Sequence, residues 1–161
     1  MTTRTLVILR HAKAARPDGP VDFDRPLIDR GRADAAAAGA WLTAHGHRPD
    51  LVLSSPAQRA RETWEAVAGA LTVAPAVQYE KDLYYGGPVE ILARVVAVAD
   101  EVDTLLVVGH NPTLSQLSAI LDPAAGDDLR TAGLAVHTFD GPWQRCGPRR
   151  ASLTTAHTAR A

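Results

Sequence analysis

The sequence predicts an α/β layer fold with a mostly parallel sheet, and three observations carry that expectation. Short apolar runs alternate with helical stretches along the chain. The middle runs are rich in Val and Leu without polar alternation, as in strands covered on both faces. Two helix starts follow directly on strands. Strands are expected at Thr5 to Leu9, Leu51 to Ser54, Ala76 to Tyr79, Thr104 to Val108 and Leu134 to Phe139. Helices are expected at Arg30 to His45, which is Ala-rich and ends at Gly46, and at Pro56 to Ala70, Val89 to Ala99 and Pro112 to Leu121. Ser55-Pro56-Ala57-Gln58 reads as a capping box with Ser at the N-cap and Pro at the first helical position, and Asn111-Pro112 repeats the cap-then-proline arrangement. Beyond Gly141 the chain is turn-rich and then runs through Leu153-Thr154-Thr155, an expected terminal hairpin strand. Trp41, Trp64 and Phe139 are assigned to the core.

A chain of 161 residues with 46% hydrophobic and 22% charged residues suits one domain spanning 1–161 with a real interior. Its 17 basic and 18 acidic side chains exclude a polycation or an acidic tail and give no reason to expect nucleic acid. The lone cysteine, Cys146, excludes a disulfide framework and a Cys-rich zinc module, and reads as a spectator thiol in a reducing compartment. The apolar run Leu6 to Leu9 ends in Arg10-His11, too short for a signal-peptide core or a membrane span, so a soluble cytoplasmic protein is expected. Oligomeric state is not encoded legibly.

In open α/β sheets ligands bind outside the carboxyl ends of the strands, where loops and helix N-termini converge. Here the first strand runs into Arg10-His11, the second into Ser54-Ser55 followed by Arg59 and Arg61, and the fourth into Gly109-His110-Asn111. Parallel strands gather these groups at one sheet edge as a cationic pocket. Guanidinium forks match phosphate oxygens in pairs, and a helix N-terminus adds backbone donors. The absence of a glycine-rich loop after the first strand argues against a nucleotide-binding Rossmann protein and for phosphoryl transfer.

His11 is the candidate nucleophile, with one ring nitrogen kept unprotonated by the like charge of Arg10, and His110 is the candidate donor to a phosphate oxygen. Of the two arginines, which cannot both face one site, Arg59 is preferred and Arg61 goes to a solvated face. His45-Gly46-His47 reads as a helix C-cap rather than a metal site. His137 falls inside a strand pattern and His157 lies near the end of the chain. The loop Ala12 to Pro26 is long enough to be a binding loop, and its acids Asp18, Asp22 and Asp24 read as solvated.

Four segments resemble the signatures of the histidine phosphatase superfamily, the phosphoglycerate-mutase-like proteins. Leu9-Arg10-His11-Ala12 is similar to the Arg-His-Gly signature, Leu27-Ile28-Asp29-Arg30-Gly31 to the Leu-Thr-x-x-Gly helix entry, Ser54-Ser55-Pro56-Ala57-Gln58-Arg59-Ala60 to the Ser-Ser-Pro-x-x-Arg-Ala segment, and Val108-Gly109-His110-Asn111 to the Gly-His block. The resemblance covers about residues 5 to 121 and implies a three-layer sandwich. It also implies a phosphorylated nucleophile at His11, with Arg10, Arg59 and His110 completing the phosphate pocket. Small size, the Arg-His-Ala-Lys form of the first motif and Asp82-Leu83-Tyr84 look most like SixA-type phosphohistidine phosphatases. Lys13 adds charge at the rim.

The glutamate general acid of mutase-like members has Tyr85 at its place here, leaving Glu80 and Asp82 as nearby acids. A weak or missing acid suits a P–N substrate. The expected reaction is hydrolysis of a phosphorylated protein through a covalent intermediate, with no cofactor and no metal, the positive charge coming from Arg10, Arg59 and His110. A small phosphorylated metabolite as substrate and a non-catalytic phosphate-binding module are the rival readings, with no membrane and no nucleic-acid partner in any of them.

Overall fold

A computed structural model describes residues 1–16 and 21–161. Among them six strands form one sheet: β1 (Thr3–Arg10), β2 (Leu51–Ser54), β3 (Ala76–Tyr79), β4 (Thr104–Gly109), β5 (Gly133–Asp140) and β6 (Ser152–Thr158), in spatial order β3-β2-β4-β1-β5-β6. The helices are α1 (Asp29–Ala44), α2 (Gln58–Gly69), the single turn α3 (Asp82–Tyr85), α4 (Pro88–Val96) and α5 (Thr113–Leu121). β3, β2, β4 and β1 run parallel, β5 is antiparallel to β1, and β6 returns antiparallel to β5. The expected mostly parallel α/β sheet is therefore present, and the hairpin strand around Leu153–Thr155 is the outer edge β6.

Alternation across the pleat explains the apolar strands. Val7 and Leu9 of β1 and Leu106 and Val108 of β4 face α1 and α2, packing with Ala38, Leu42, Trp64 and Val67. Their neighbours Leu6, Ile8, Leu105 and Val107 face the opposite layer, with Ile91, Leu114, Leu117 and Leu121 of α4 and α5. Central strands buried on both faces need apolar residues at every position. β3 does not follow that rule: at the sheet edge its side chains are largely exposed, so the expectation of two covered faces fails there.

Other expectations need correction. No capping box forms at Ser55: α2 starts at Gln58, whose amide reaches forward to Glu62 (Nε2 to Oε2, 3.0 Å), while Ser55 Oγ accepts the Ala57 N–H and also meets His110. α5 starts at Thr113, although Asn111 Oδ1 still accepts from the Ser115 N–H at 3.2 Å and so serves the first turn. Trp41 is only half-buried, stacked between the rings of His45 and His157 at the rim, whereas Trp64 and Phe139 are core. Cys146 is buried among apolar side chains that push its thiol up to about 12, as befits a spectator.

Candidate active site

The register of the parallel strands delivers the site. Arg10 lies opposite Gly109 and Ser54 opposite Val108, so the next residues, His11, His110 and Ser55, emerge together at the carboxyl edge. His11 N–H donates to Gly109 O (3.0 Å) and Ser55 N–H to Val108 O (2.9 Å), which extends the ladder one residue past the strand ends. β5 begins at the same place: the Ala132 N–H is shared between the carbonyls of Arg10 and His11, each at 3.2 Å. Ala132 holds a φ of +56° to do this, a left-handed backbone uncommon for a residue with a Cβ.

The segment behind His11 is clamped from two helices. The Ala12 N–H donates to Thr63 Oγ1 (3.0 Å), and Thr63 in turn donates to the Arg59 carbonyl (2.7 Å), linking the nucleophile loop to the helix that carries Arg59. Lys13 O accepts the Ile28 N–H, and Gly31 at the start of α1 passes so close that a Cβ there would collide with that same carbonyl. The glycine of the Leu27 to Gly31 segment is thus a packing requirement.

His11 is 9% exposed. Its Nδ1 lies 2.8 Å from Ala12 O, an acceptor only, so Nδ1 carries the proton and Nε2 presents a lone pair. Nε2 faces Arg59 Nε at 3.4 Å. Burial, above all, holds the His11 ring down at about 3, with His110, Arg59 and Arg10 adding like-charge repulsion. The expected role of Arg10 in lowering this pKa is real but smaller than that of desolvation.

His110 stands 5.1 Å from His11, centroid to centroid, and is held at about 4, again chiefly by burial and next by Arg59. The hydroxyl of Ser55, already accepting from Ala57, has its proton free to donate to His110 Nε2 at 2.8 Å. With Ser55 as the donor in that contact, His110 carries its own proton on Nδ1. That Nδ1 and the Nε of Arg10 are buried with no partner among the described residues. Buried donors without partners are rare in folded chains; Arg4 Nε is a third, but only these two belong to side chains that line one pocket, where an anion would complete the bonding.

The resulting pocket has a volume of about 310 Å³. Its lining includes Arg10, Arg59, His11 and His110, joined by Lys13, Arg16 and Arg25 at the rim. All four predicted site residues converge. Arg61 is exposed and takes no part, as expected.

Asp22 belongs to the acidic trio read as solvated, yet it occupies the fork of Arg59: Nη1 donates to its carbonyl (2.8 Å) and Nη2 to its Oδ2 (3.1 Å). Tyr84 donates to the same Oδ2 at 2.6 Å, and Arg25 binds Oδ1. This bonding, led by the Tyr84 hydroxyl, keeps the Asp22 carboxyl ionised down to about 2. Asp18 lies outside the described residues, and Asp24 makes no ion pair among them.

Glu80 and Asp82, the two candidate acids, both turn to Arg94 (3.9 and 2.9 Å) and do not line the pocket. The sequence reading missed Ser55 as a partner of His110, missed Thr63 and Ala132 altogether, took Asp22 as solvated, and gave Tyr84 no role at the site. The Ser54-Ser55 segment did flag the first. The remaining histidines are structural: His45 Nδ1 meets Trp41 O at the end of α1, and His137 is fully buried between Ser118 Oγ and Ala151 O.

An α/β sheet with a cationic, imidazole-lined cup at its carboxyl edge defines a protein built to handle a tetrahedral oxyanion. The sequence matches the histidine phosphatase superfamily (branch 1) over residues 6–84. An uncharacterized protein of Mycobacterium tuberculosis is 41% identical over 162 residues, covering 94% of this chain and 100% of that relative. The phosphohistidine phosphatase SixA of Escherichia coli is 31% identical over 136 residues, covering 83% and 84%. Among solved structures, a protein from Nakamurella multipartitia assigned as a phosphohistidine phosphatase SixA superposes with a TM-score of 0.89 at 35% identity, covering 100% of this chain and 99% of that one. A SixA protein histidine phosphatase complexed with tungstate gives 0.83 at 26% identity, covering 96% of each. The chain belongs to the histidine phosphatase superfamily and is a phosphatase with the phosphoglycerate-mutase-like, three-layer fold. Among the described residues no helix is long and apolar enough to cross a membrane.

Proposed function

We propose that this chain, as one cytoplasmic domain over residues 1–161, hydrolyses phosphohistidine on a protein by two displacements at His11. The Nε2 lone pair attacks phosphorus while the bond from phosphorus to the substrate imidazole breaks, and that imidazole leaves with a proton from solvent. Arg10, Arg59 and the Nδ1–H of His110 donate to the phosphoryl oxygens, most strongly as charge spreads onto them in transfer. Water then attacks the phosphoenzyme, the bond from phosphorus to Nε2 breaks, and inorganic phosphate leaves.

One observation carries the choice of substrate: among the described residues the pocket offers no protonated carboxyl. Asp22 is locked as a carboxylate, and Glu80 and Asp82 are paired with Arg94 outside the cup. An alkoxide leaving from a serine or sugar phosphate needs a proton delivered in the transition state, whereas an imidazole, protonated near neutrality, leaves with far less help. The similarity to SixA proteins supports the same reading.

The test sets a histidine-phosphorylated peptide against the same peptide phosphorylated on serine, at equal concentration. The P–N substrate is expected to be cleaved faster, with an acid-labile phosphate on His11 seen by mass spectrometry during turnover. Equal or faster cleavage of the serine phosphate would replace this reading with a phosphomonoesterase of small metabolites. The cations Lys13, Arg16 and Arg25 at the rim suit that alternative, since a second anionic group could reach them.

A further inference from the structure

At the opposite end of the sheet from His11, where β1 and β6 begin and β5 ends, lies a concavity of about 480 Å³, larger than the catalytic cup. Arg145, Arg149 and Arg150 line it together with Thr3, Asp140 and Ser152. A chain with 17 basic and 18 acidic groups places three arginines here against one carboxylate, and among the described residues none of the three has an ion-pair partner within 4.0 Å. Asp140 instead accepts from the Thr3 hydroxyl at 2.8 Å.

The backbone sets where these arginines leave the chain. Arg149 holds a φ of +62°, a conformation that disfavours a side chain, and its N–H is bonded to Ile120 O at 2.9 Å. The Arg150 N–H closes the same turn onto Gly147 O at 3.0 Å. Arg145 lies across Gly141, itself at φ +105°, so closely that a Cβ there would come within 3.0 Å of its Cδ. The turn docks on α5 and buries Trp143, Cys146 and Ala151, while all three arginine side chains stay exposed at its surface. Clustered guanidinium forks are how proteins hold multiply charged phosphate, and the volume exceeds what one phosphate group would fill.

We propose that this concavity is a second anion site, separate from the catalytic pocket, that binds an oligophosphate group through Arg145, Arg149 and Arg150. Seven steps along β1, at roughly 3.3 Å per residue, put it about 23 Å from the nucleophile end, so its occupant does not share the reacting phosphoryl group.

The probe is inorganic pyrophosphate, titrated into the full chain by calorimetry with the catalytic pocket saturated by orthovanadate. Arg149→Gly is the diagnostic variant, because glycine accepts the left-handed backbone and removes the guanidinium without strain; Arg150→Ala is the second. Each is expected to weaken pyrophosphate binding at least about tenfold, the loss of one charge-assisted contact, while turnover at His11 and thermal stability stay at wild-type level or, for Arg149→Gly, stability rises. Pyrophosphate affinity unchanged in both variants would overturn the proposal, as would binding lost on replacing Arg59 but not Arg149. Equal displacement by sulfate at matched ionic strength would also overturn it, by showing only charge screening. None of these outcomes depends on which substrate His11 serves.

Discussion

Two histidine sites in this molecule invite comparison. His137 is 0% exposed, and both of its ring nitrogens are matched, one to the Ser118 hydroxyl at 2.7 Å and one to the Ala151 carbonyl at 2.8 Å. His110 is half-buried, with one nitrogen matched to Ser55 and the other, like Arg10 Nε, without a partner among the described residues. Burial lowers the pKa of both. What separates a structural imidazole from a working one is therefore the unmet hydrogen-bonding capacity pointed at a shared space, and not the perturbed titration.

Replacing the nucleophile is the strongest way to break that contrast. His11→Ala is expected to lower turnover by more than about a thousandfold and abolish the acid-labile phosphoenzyme, measured by steady-state rates and intact-mass spectrometry. His137→Ala is expected to do the reverse. It leaves a cavity and two unmatched groups at Ser118 and Ala151, costing about 3 kcal/mol in denaturant unfolding, while the protein that remains folded keeps its turnover. Loss of activity without loss of stability in His137→Ala would erase the distinction.

A smaller effect tests the carboxylate that sits on Arg59. Asp22→Asn removes the charge that competes with phosphate for the guanidinium fork, so vanadate inhibition is expected to tighten by about tenfold. Unchanged inhibition would mean that Asp22 offers no competition.

A test of another kind reads stability against pH. His11 and His110 are held at about 3 and about 4, below the ordinary 6.5, so between those values the unfolded chain binds more protons than the folded one. Stability is then greatest above pH 6.5 and declines as pH falls toward 3. A His11→Asn/His110→Asn double variant is expected to show a shallower fall in Tm between about pH 6 and pH 4 than the wild type.

The sequence made the site legible wherever a residue's role followed from its place at a strand end. Arg10-His11, Gly109-His110 and Arg59 could be found because parallel register carries strand termini to one edge. Ser55 was visible but misassigned, since capping statistics favour a helix role and only the tertiary approach of β4 brings His110 to its hydroxyl. Asp22 and Tyr84 were illegible in these terms: they lie 62 residues apart, and neither has a local pattern that announces their contact. Trp41 was misplaced because hydrophobicity alone does not distinguish an interior aromatic from one stacked on histidines at the rim.

The loop after the nucleophile is moored near both of its ends. Ala12 is held by Thr63, Lys13 by Ile28 and Gly31, and Ala15 by Pro26, whose carbonyl takes its N–H at 2.8 Å. The stretch between the last two moorings carries Arg16, Asp22 and Arg25, the side chains that meet whatever approaches the cup. Asp22 reaches from that stretch into the fork of Arg59, so a change of composition at the doorway is transmitted to a phosphate-binding guanidinium, while the imidazole of His11 keeps its own anchor on the Ala12 carbonyl.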